Sequence, residues 1–239
     1  MAPFGTLYSV VKPYIHPRSR LALAVGAVGG HDITIPDDFQ FGSSNKTPEY
    51  LAKFPLGKIP AFEGADGFLL VESNAIAMYL ADTAPNPGKR EQLLGASPQE
   101  RARIQQWLWF SFMHLEPTLT TLCVWRFGTG QFASYDAAAE EKAEAELRRW
   151  LEYLEASVKA AMEKRTWLAG TEAPSIADLT VCGNLHSGFM LYVDAEMRKE
   201  YPVVVEYFKR LLSEVPEIKY LYDLDGKWAE VRKQPDTAV

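Results

Sequence analysis

Phe54-Pro55-Leu56-Gly57-Lys58-Ile59-Pro60-Ala61-Phe62, followed a few residues on by Glu72-Ser73-Asn74 at the head of an apolar segment, organises the reading of the whole chain. A proline forces the residue before it into extended backbone, so Ile59 cannot continue a helix and Ile59 to Glu63 reads as a strand. Proline also lacks an amide hydrogen. It is therefore confined to the start or edge of a strand, which leaves the Ile59 backbone free to pair with something outside the sheet. With the Ile59–Pro60 bond cis, the turn presents the Ile59 amide and carbonyl to the backbone of a peptide ligand. The stretch reads as a peptide-docking strand edge beside a helix N-terminus.

Outward from it toward the N-terminus, Gly5 to Val10 has strand propensity. Pro17 opens a helix that ends at Gly29-Gly30, and Asp32 to Ile35 is a second, short strand. Strand, helix and strand in that order make a parallel crossover. Thr47 caps a short helix with Pro48 in its first turn. In the other direction, Gly64-Ala65-Asp66-Gly67 joins Ile59–Glu63 to a strand at Phe68–Val71, and Ser73 to Thr83 closes the unit as a helix. This order is that of a thioredoxin-like domain, and it spans residues 1–86.

Ala84-Pro85-Asn86-Pro87-Gly88 reads as a turn-rich boundary, beyond which the patterns are helical to the end, giving a second, all-α domain over residues 92–239. From Ser97 to Pro117 one helical stripe carries Ile104, Trp107, Leu108, Ser111 and Leu115, and another carries Gln106, Trp109, Phe110, Met113 and His114. A helix apolar on two sides is buried all round, or packs a core on one side and lines a cleft on the other. Ala137 to Lys164 is a long amphipathic helix, and Ser175 with Asp178 makes a capping box, with Pro174 and Leu179 placed as its staple. Helices from Pro202 to Val215 and after Pro216 complete the domain, with a polar, frayed tail from Lys233.

The chain of 239 residues is 47% hydrophobic with a formal net charge of -6. That is enough to bury a substantial core, and the mild acidity, with no Lys/Arg stripe, argues against a nucleic-acid partner. Cys123 and Cys182 lie in apolar helical segments and build neither a disulfide framework nor a CxxC site. No stretch has the length of a membrane span and the N-terminus shows no secretory leader, so a cytoplasmic location is expected.

With these residues in place the chain resembles the glutathione transferases along nearly its whole length. Gly5-Thr6-Leu7-Tyr8, Pro17-Arg18, Thr47-Pro48-Glu49-Tyr50, Phe54 to Glu63 and Glu72 to Ala77 are most similar to the transferase-like domain of the gamma subunit of translation elongation factor 1, above all its fungal forms. Ser175-Ile176-Ala177-Asp178 resembles the folding motif of the family's helical domain.

The resemblance implies glutathione as cofactor, a hydrophobic small-molecule electrophile as second substrate, and a homodimer. In its terms the Ile59 backbone beside Pro60 pairs with the cysteinyl backbone, and Glu72 holds the ligand ammonium. Ser73 holds the γ-glutamyl carboxylate at a helix N-terminus, where unpaired amides favour an anion, and Lys58 pairs with the glycyl carboxylate. A thiol is mostly protonated at neutral pH, so a hydrogen-bond donor and positive potential must stabilise the thiolate. The family's donor lies at or just after the first strand. Tyr8, Ser9, Tyr14, His16 and Ser19 are the candidates, Ser9 first by position and His16 second, because it immediately precedes Pro17-Arg18. Tyr8 points toward the core. Trp109, Phe110, Met113 and His114 are the expected lining for the second substrate. Three functions follow from the resemblance: conjugation of an electrophile, cis/trans isomerisation by reversible thiol addition in fungal secondary metabolism, and a non-catalytic module like the elongation-factor domain.

Overall fold

The computed structural model describes residues 3–10, 15–127 and 134–235, and they divide into two compact units, Met1–Ala96 and Ser97–Val239. A small sheet domain of thioredoxin-like type comes first and a helical domain second.

In the first unit, β1 (Gly5–Tyr8), β2 (Ile33–Thr34), β3 (Ala61–Gly64) and β4 (Leu69–Val71) form one sheet in the order β2-β1-β3-β4. The β1–β2 pair is parallel and the other pairs are antiparallel. Alternation along β1 sends Leu7 to one face and Tyr8 to the other. On the first face, fully buried Leu7 and Phe62 share a core with Ala22 and Val25 of α1 (Pro17–Gly29) and Ile76, Ala77 and Leu80 of α3 (Ser73–Asp82). Phe62 lies so close over Gly5 that a Cβ there would meet its ring at 2.4 Å. Glycine is required by that contact. On the second face Tyr8 joins Phe39, Tyr50, Phe54, Ala61 and Val71, with α2 (Pro48–Lys53) supplying Tyr50. Thr47 Oγ1 caps α2 by accepting from the Tyr50 amide at 3.2 Å.

Besides shifts of a residue or two at strand ends, the structure departs from the sequence reading at two element starts and by one added helix. Strand β3 begins at Ala61, because Ile59 and Pro60 form a bend with a cis peptide and the ladder to β1 starts at the Tyr8–Ala61 pair. The turn-rich stretch is the start of a helix, α4 (Pro87–Leu94): the Asn86 side chain accepts from the Gly88 amide at 2.9 Å and Pro87 occupies the first turn. Asparagine followed by proline serves a helix start as well as a turn, and α4 packs within the first unit. In the second unit α9 (Ala195–Glu200) is an additional short helix, capped by Asp194.

The second unit opens with α5 (Pro98–Phe110), on a Ser97–Glu100 capping box, and passes through a π turn at Ser111–Leu115 into α6 (Glu116–Val124). Helices α7 (Ala137–Glu163), α8 (Ile176–Leu191), α10 (Pro202–Glu214) and α11 (Lys219–Tyr222) follow. Cys123 and Cys182 are buried in α6 and α8. As far as it is described, the C-terminal segment is tied down rather than frayed. Arg126 Nε donates to the Lys233 carbonyl at 2.6 Å, Lys233 Nζ donates back to the Arg126 carbonyl at 2.5 Å, and Arg232 pairs with Glu144 at 2.7 Å. Among the described residues no helix is long and apolar enough to cross a membrane.

Candidate functional site

The strand registers bring the predicted binding residues to one end of the sheet. Tyr8 faces Ala61, and Ala61 faces Val71. One step further, Ser9 leaves β1, Pro60 and Ile59 enter β3, and Glu72 and Ser73 leave β4, all at the same end of the sheet. Ile59 is buried, and among the described residues neither its amide nor its carbonyl has a hydrogen-bond partner. Just before it, the Phe54–Lys58 turn is held from beneath: Tyr50 Oη donates to the Lys58 carbonyl at 2.7 Å, and fully buried Asn45 donates Nδ2 to the Gly57 carbonyl at 2.7 Å. The Lys58 side chain is exposed. Asn45 was not among the predicted site residues, since an asparagine in a polar connection carries no signal for which distant carbonyl it meets.

Glu72 has φ 71° and ψ 117°, a conformation uncommon for a residue other than glycine, and its side chain makes no capping bond to α3. Its carboxylate is exposed, while Ser73, the first helical residue, is only 8% exposed. No acidic residue occupies the first turn of α3. The helix start therefore keeps its partial positive charge directed at whatever lies over Ser73, which suits a carboxylate.

The candidate thiol donors separate by their hydrogen bonds. Tyr8 Oη donates to Glu63 Oε2 at 2.7 Å, and Glu63 is itself paired with Lys53 at 2.7 Å. Burial, and then this carboxylate, raise the Tyr8 hydroxyl to about 12, which makes it a poor source of negative charge stabilisation for a sulfur. Ser9 is 1% exposed and its hydroxyl lies 2.5 Å from the Ser19 hydroxyl in the first turn of α1, so the two predicted serines are each other's partners. His16 occupies the N-cap position of α1 but caps no amide with its side chain. Its own amide donates to the Val10 carbonyl at 3.0 Å, and its carbonyl accepts from Ser19 at 2.9 Å. Burial, then Arg18 and Arg20, lower the imidazole from 6.5 to about 4, so it is neutral at physiological pH. Tyr14 lies outside the described residues.

The two stripes of α5 part as expected. Ile104, Trp107, Leu108, Ser111 and Leu115 are buried. On the other side the predicted lining residues divide again. Phe110 packs edge-on against Trp107, Trp150 and Tyr153, and His114 lies 4.8 Å from the Trp150 ring, so both lean on α7. Trp109 is 60% and Met113 57% exposed. The π turn, which widens the helix by one residue per turn, carries Met113 and His114 and is fastened by Asn184 donating to Ser111 Oγ at 2.8 Å.

The N-terminal domain of the glutathione S-transferase family matches residues 3–82 and its C-terminal domain matches residues 102–214. Among relatives, a "Glutathione S-transferase-like protein LUC7" from a Fusarium species is 42% identical over 224 residues, covering 93% of this chain and 94% of that protein. Human elongation factor 1-gamma is 32% identical over 243 residues; the match covers 98% of this chain and 52% of the human protein. In structure, the chain is similar to the GST-like domain of elongation factor 1-gamma from Saccharomyces cerevisiae, with a TM-score of 0.80 at 25% identity over 98% of this chain and 99% of that one. It is also similar to the glutathione transferase URE2P6 from Phanerochaete chrysosporium in complex with oxidized glutathione, with a TM-score of 0.76 at 25% identity over 95% and 98% of the two chains. The chain belongs to the glutathione transferase family.

Proposed function

We propose that this chain is a cytoplasmic, homodimeric glutathione transferase that presents the glutathione thiolate to a hydrophobic electrophile. The observation that carries the reading is the junction at the sheet end, where the unpartnered Ile59 backbone stands across from Ser73 at the uncapped start of α3. A peptide thiol of this kind needs main-chain pairing for its cysteinyl unit and an anion site for its γ-glutamyl carboxylate. Ile59 beside Pro60 supplies the first and Ser73 the second, while exposed Glu72 and Lys58 carry charges opposite to the ligand's ammonium and glycyl carboxylate. Ser9 or His16 would meet the sulfur, and the apolar face of α5 and the π turn, with Trp109, Phe110, Met113 and His114, would receive the electrophile.

Retention of the folded chain on immobilised glutathione, followed by a conjugation assay, tests this reading. Wild-type protein should be retained and should form adduct, and Ser73→Ala should bind roughly tenfold more weakly, the worth of a hydrogen bond to a charged group. No retention of well-folded wild-type protein would sink it.

Similarity to elongation factor 1-gamma over almost the whole chain favours a second reading, a binding module that uses the fold for assembly. Retention without turnover of any electrophile supports that one. Mass spectrometry of products separates conjugation, which adds the mass of glutathione, from reversible addition and cis/trans isomerisation in secondary metabolism, which leaves the substrate mass unchanged.

A further inference from the structure

We infer that His16 holds the glutathione thiolate, donating the Nε2–H of a neutral imidazole to the sulfur. The inference rests on the glutathione-binding reading above and names the group that would act on the thiol.

Three features of the first unit lead to it. The backbone of His16 is held at the site end of the sheet, because its amide donates to the carbonyl of Val10, which follows Ser9 out of β1. The other three described candidates for the donor are engaged elsewhere: Tyr8 donates to Glu63, and Ser9 and Ser19 are buried against each other. His16 alone among the four keeps side-chain hydrogen-bonding atoms without a partner among the described residues.

The tautomer follows from which of those atoms is shut away. Nδ1 is buried with no partner among the described residues, whereas the ring as a whole is only partly buried and Nε2 is not one of those buried partnerless atoms. A partnerless buried N–H is costlier than a partnerless buried lone pair, since the orphaned donor is the rarer of the two in native proteins. The single proton of the neutral ring therefore sits on Nε2, the nitrogen an incoming ligand can reach. Arg18 and Arg20, on the first turn of α1, add positive potential around the ring and keep it from taking up a proton. When glutathione ionises here, its S–H bond breaks, the proton passes to bulk water, and the sulfur accepts the Nε2–H hydrogen bond. His16 itself gains no proton.

The test measures thiolate in the complex of the full chain with glutathione, by its ultraviolet absorbance as a function of pH. His16→Ala should move the thiolate midpoint up by about one pH unit, up to roughly tenfold less thiolate near neutral pH, with the glutathione dissociation constant little changed at pH values below both midpoints, where the bound thiol is protonated. His16→Gln, which keeps an N–H at similar reach, should hold the midpoint near that of wild type. A midpoint unmoved by His16→Ala, or moved equally by His16→Gln, overturns the inference while leaving glutathione binding intact. Failure of the wild-type chain to bind glutathione overturns both.

Discussion

At the start of α8 the carboxylate of Asp178 takes hydrogen bonds from the Ser175 amide at 2.7 Å, the Ser175 hydroxyl at 2.9 Å, the Leu168 amide at 3.1 Å and the Tyr207 hydroxyl at 2.7 Å. At the starts of α3 and α1 the residue in the capping position caps nothing. Ser175 and Asp178 are fully buried, and the donors around them converge from the preceding loop and from α10. Glu72 is exposed and sits at positive φ, and His16 buries a nitrogen without a partner among the described residues. The first arrangement spends its polar groups on folding. The other two leave theirs uncommitted, as the proposed glutathione site would require, and carry the cost in backbone strain and desolvation.

The largest effect expected from this contrast is at the closed start. Asp178→Ala would strand the Leu168 and Ser175 amides and the Tyr207 hydroxyl in the core and should cost about 3–5 kcal/mol in urea denaturation. A cost under ~1 kcal/mol would break the comparison. Next comes the pH dependence of the open start at α1. The folded-state imidazole of His16 is depressed from 6.5 to about 4, so its contribution to stability is present above pH 6.5 and is lost as pH falls toward 4. Relative to His16→Gln, wild type should lose about 3 kcal/mol between those limits, read from denaturation midpoints of the two proteins at matched pH.

Paired serine substitutions sharpen the contrast at smaller scale. Ser175→Ala should destabilise by about 1–2 kcal/mol, the usual worth of a helix cap. Ser73→Ala should shift stability by less than ~0.5 kcal/mol and act on glutathione affinity instead. Equal stability losses for the two would show that α3 is capped like α8. Smallest of all, Glu72→Gly should stabilise the fold by about 1 kcal/mol, because glycine adopts positive φ freely, while glutathione retention weakens with loss of the carboxylate. If thermal unfolding shows no gain, the strain assigned to Glu72 is absent.

Much of this was legible in the chain because the signals are local. Thr47 with Pro48, Ser175 with Asp178, and Pro17 ahead of Gly30 mark helix ends through bonds made within a few residues, and all of them stand as read. Asn86 and Pro87 carry the same kind of signal but sit among so many turn-forming residues that the start of α4 reads as a boundary. Helical spacing likewise separated the buried stripe of α5 from its other side. It had no means of dividing Phe110 and His114, which lean on α7, from Trp109 and Met113, since that depends on where a helix some forty residues later in the chain is packed.

The sequence by itself determined the order of elements, the Ile59 backbone left unpaired ahead of Pro60 among the described residues and the helix start at Ser73, because proline geometry and helix-start signals act over a residue or two. Tertiary structure decided what those residues are next to. The register of three strands set Ser9, Ile59 and Ser73 at one sheet end, and side chains distant in sequence settled which candidates keep a free hydrogen-bonding atom among the described residues: Glu63 engages Tyr8, Ser19 engages Ser9, and the His16 imidazole is left without a partner. Hydrogen bonds between residues ten to fifty-five positions apart are set by folding of the whole domain, and no local pattern encodes them.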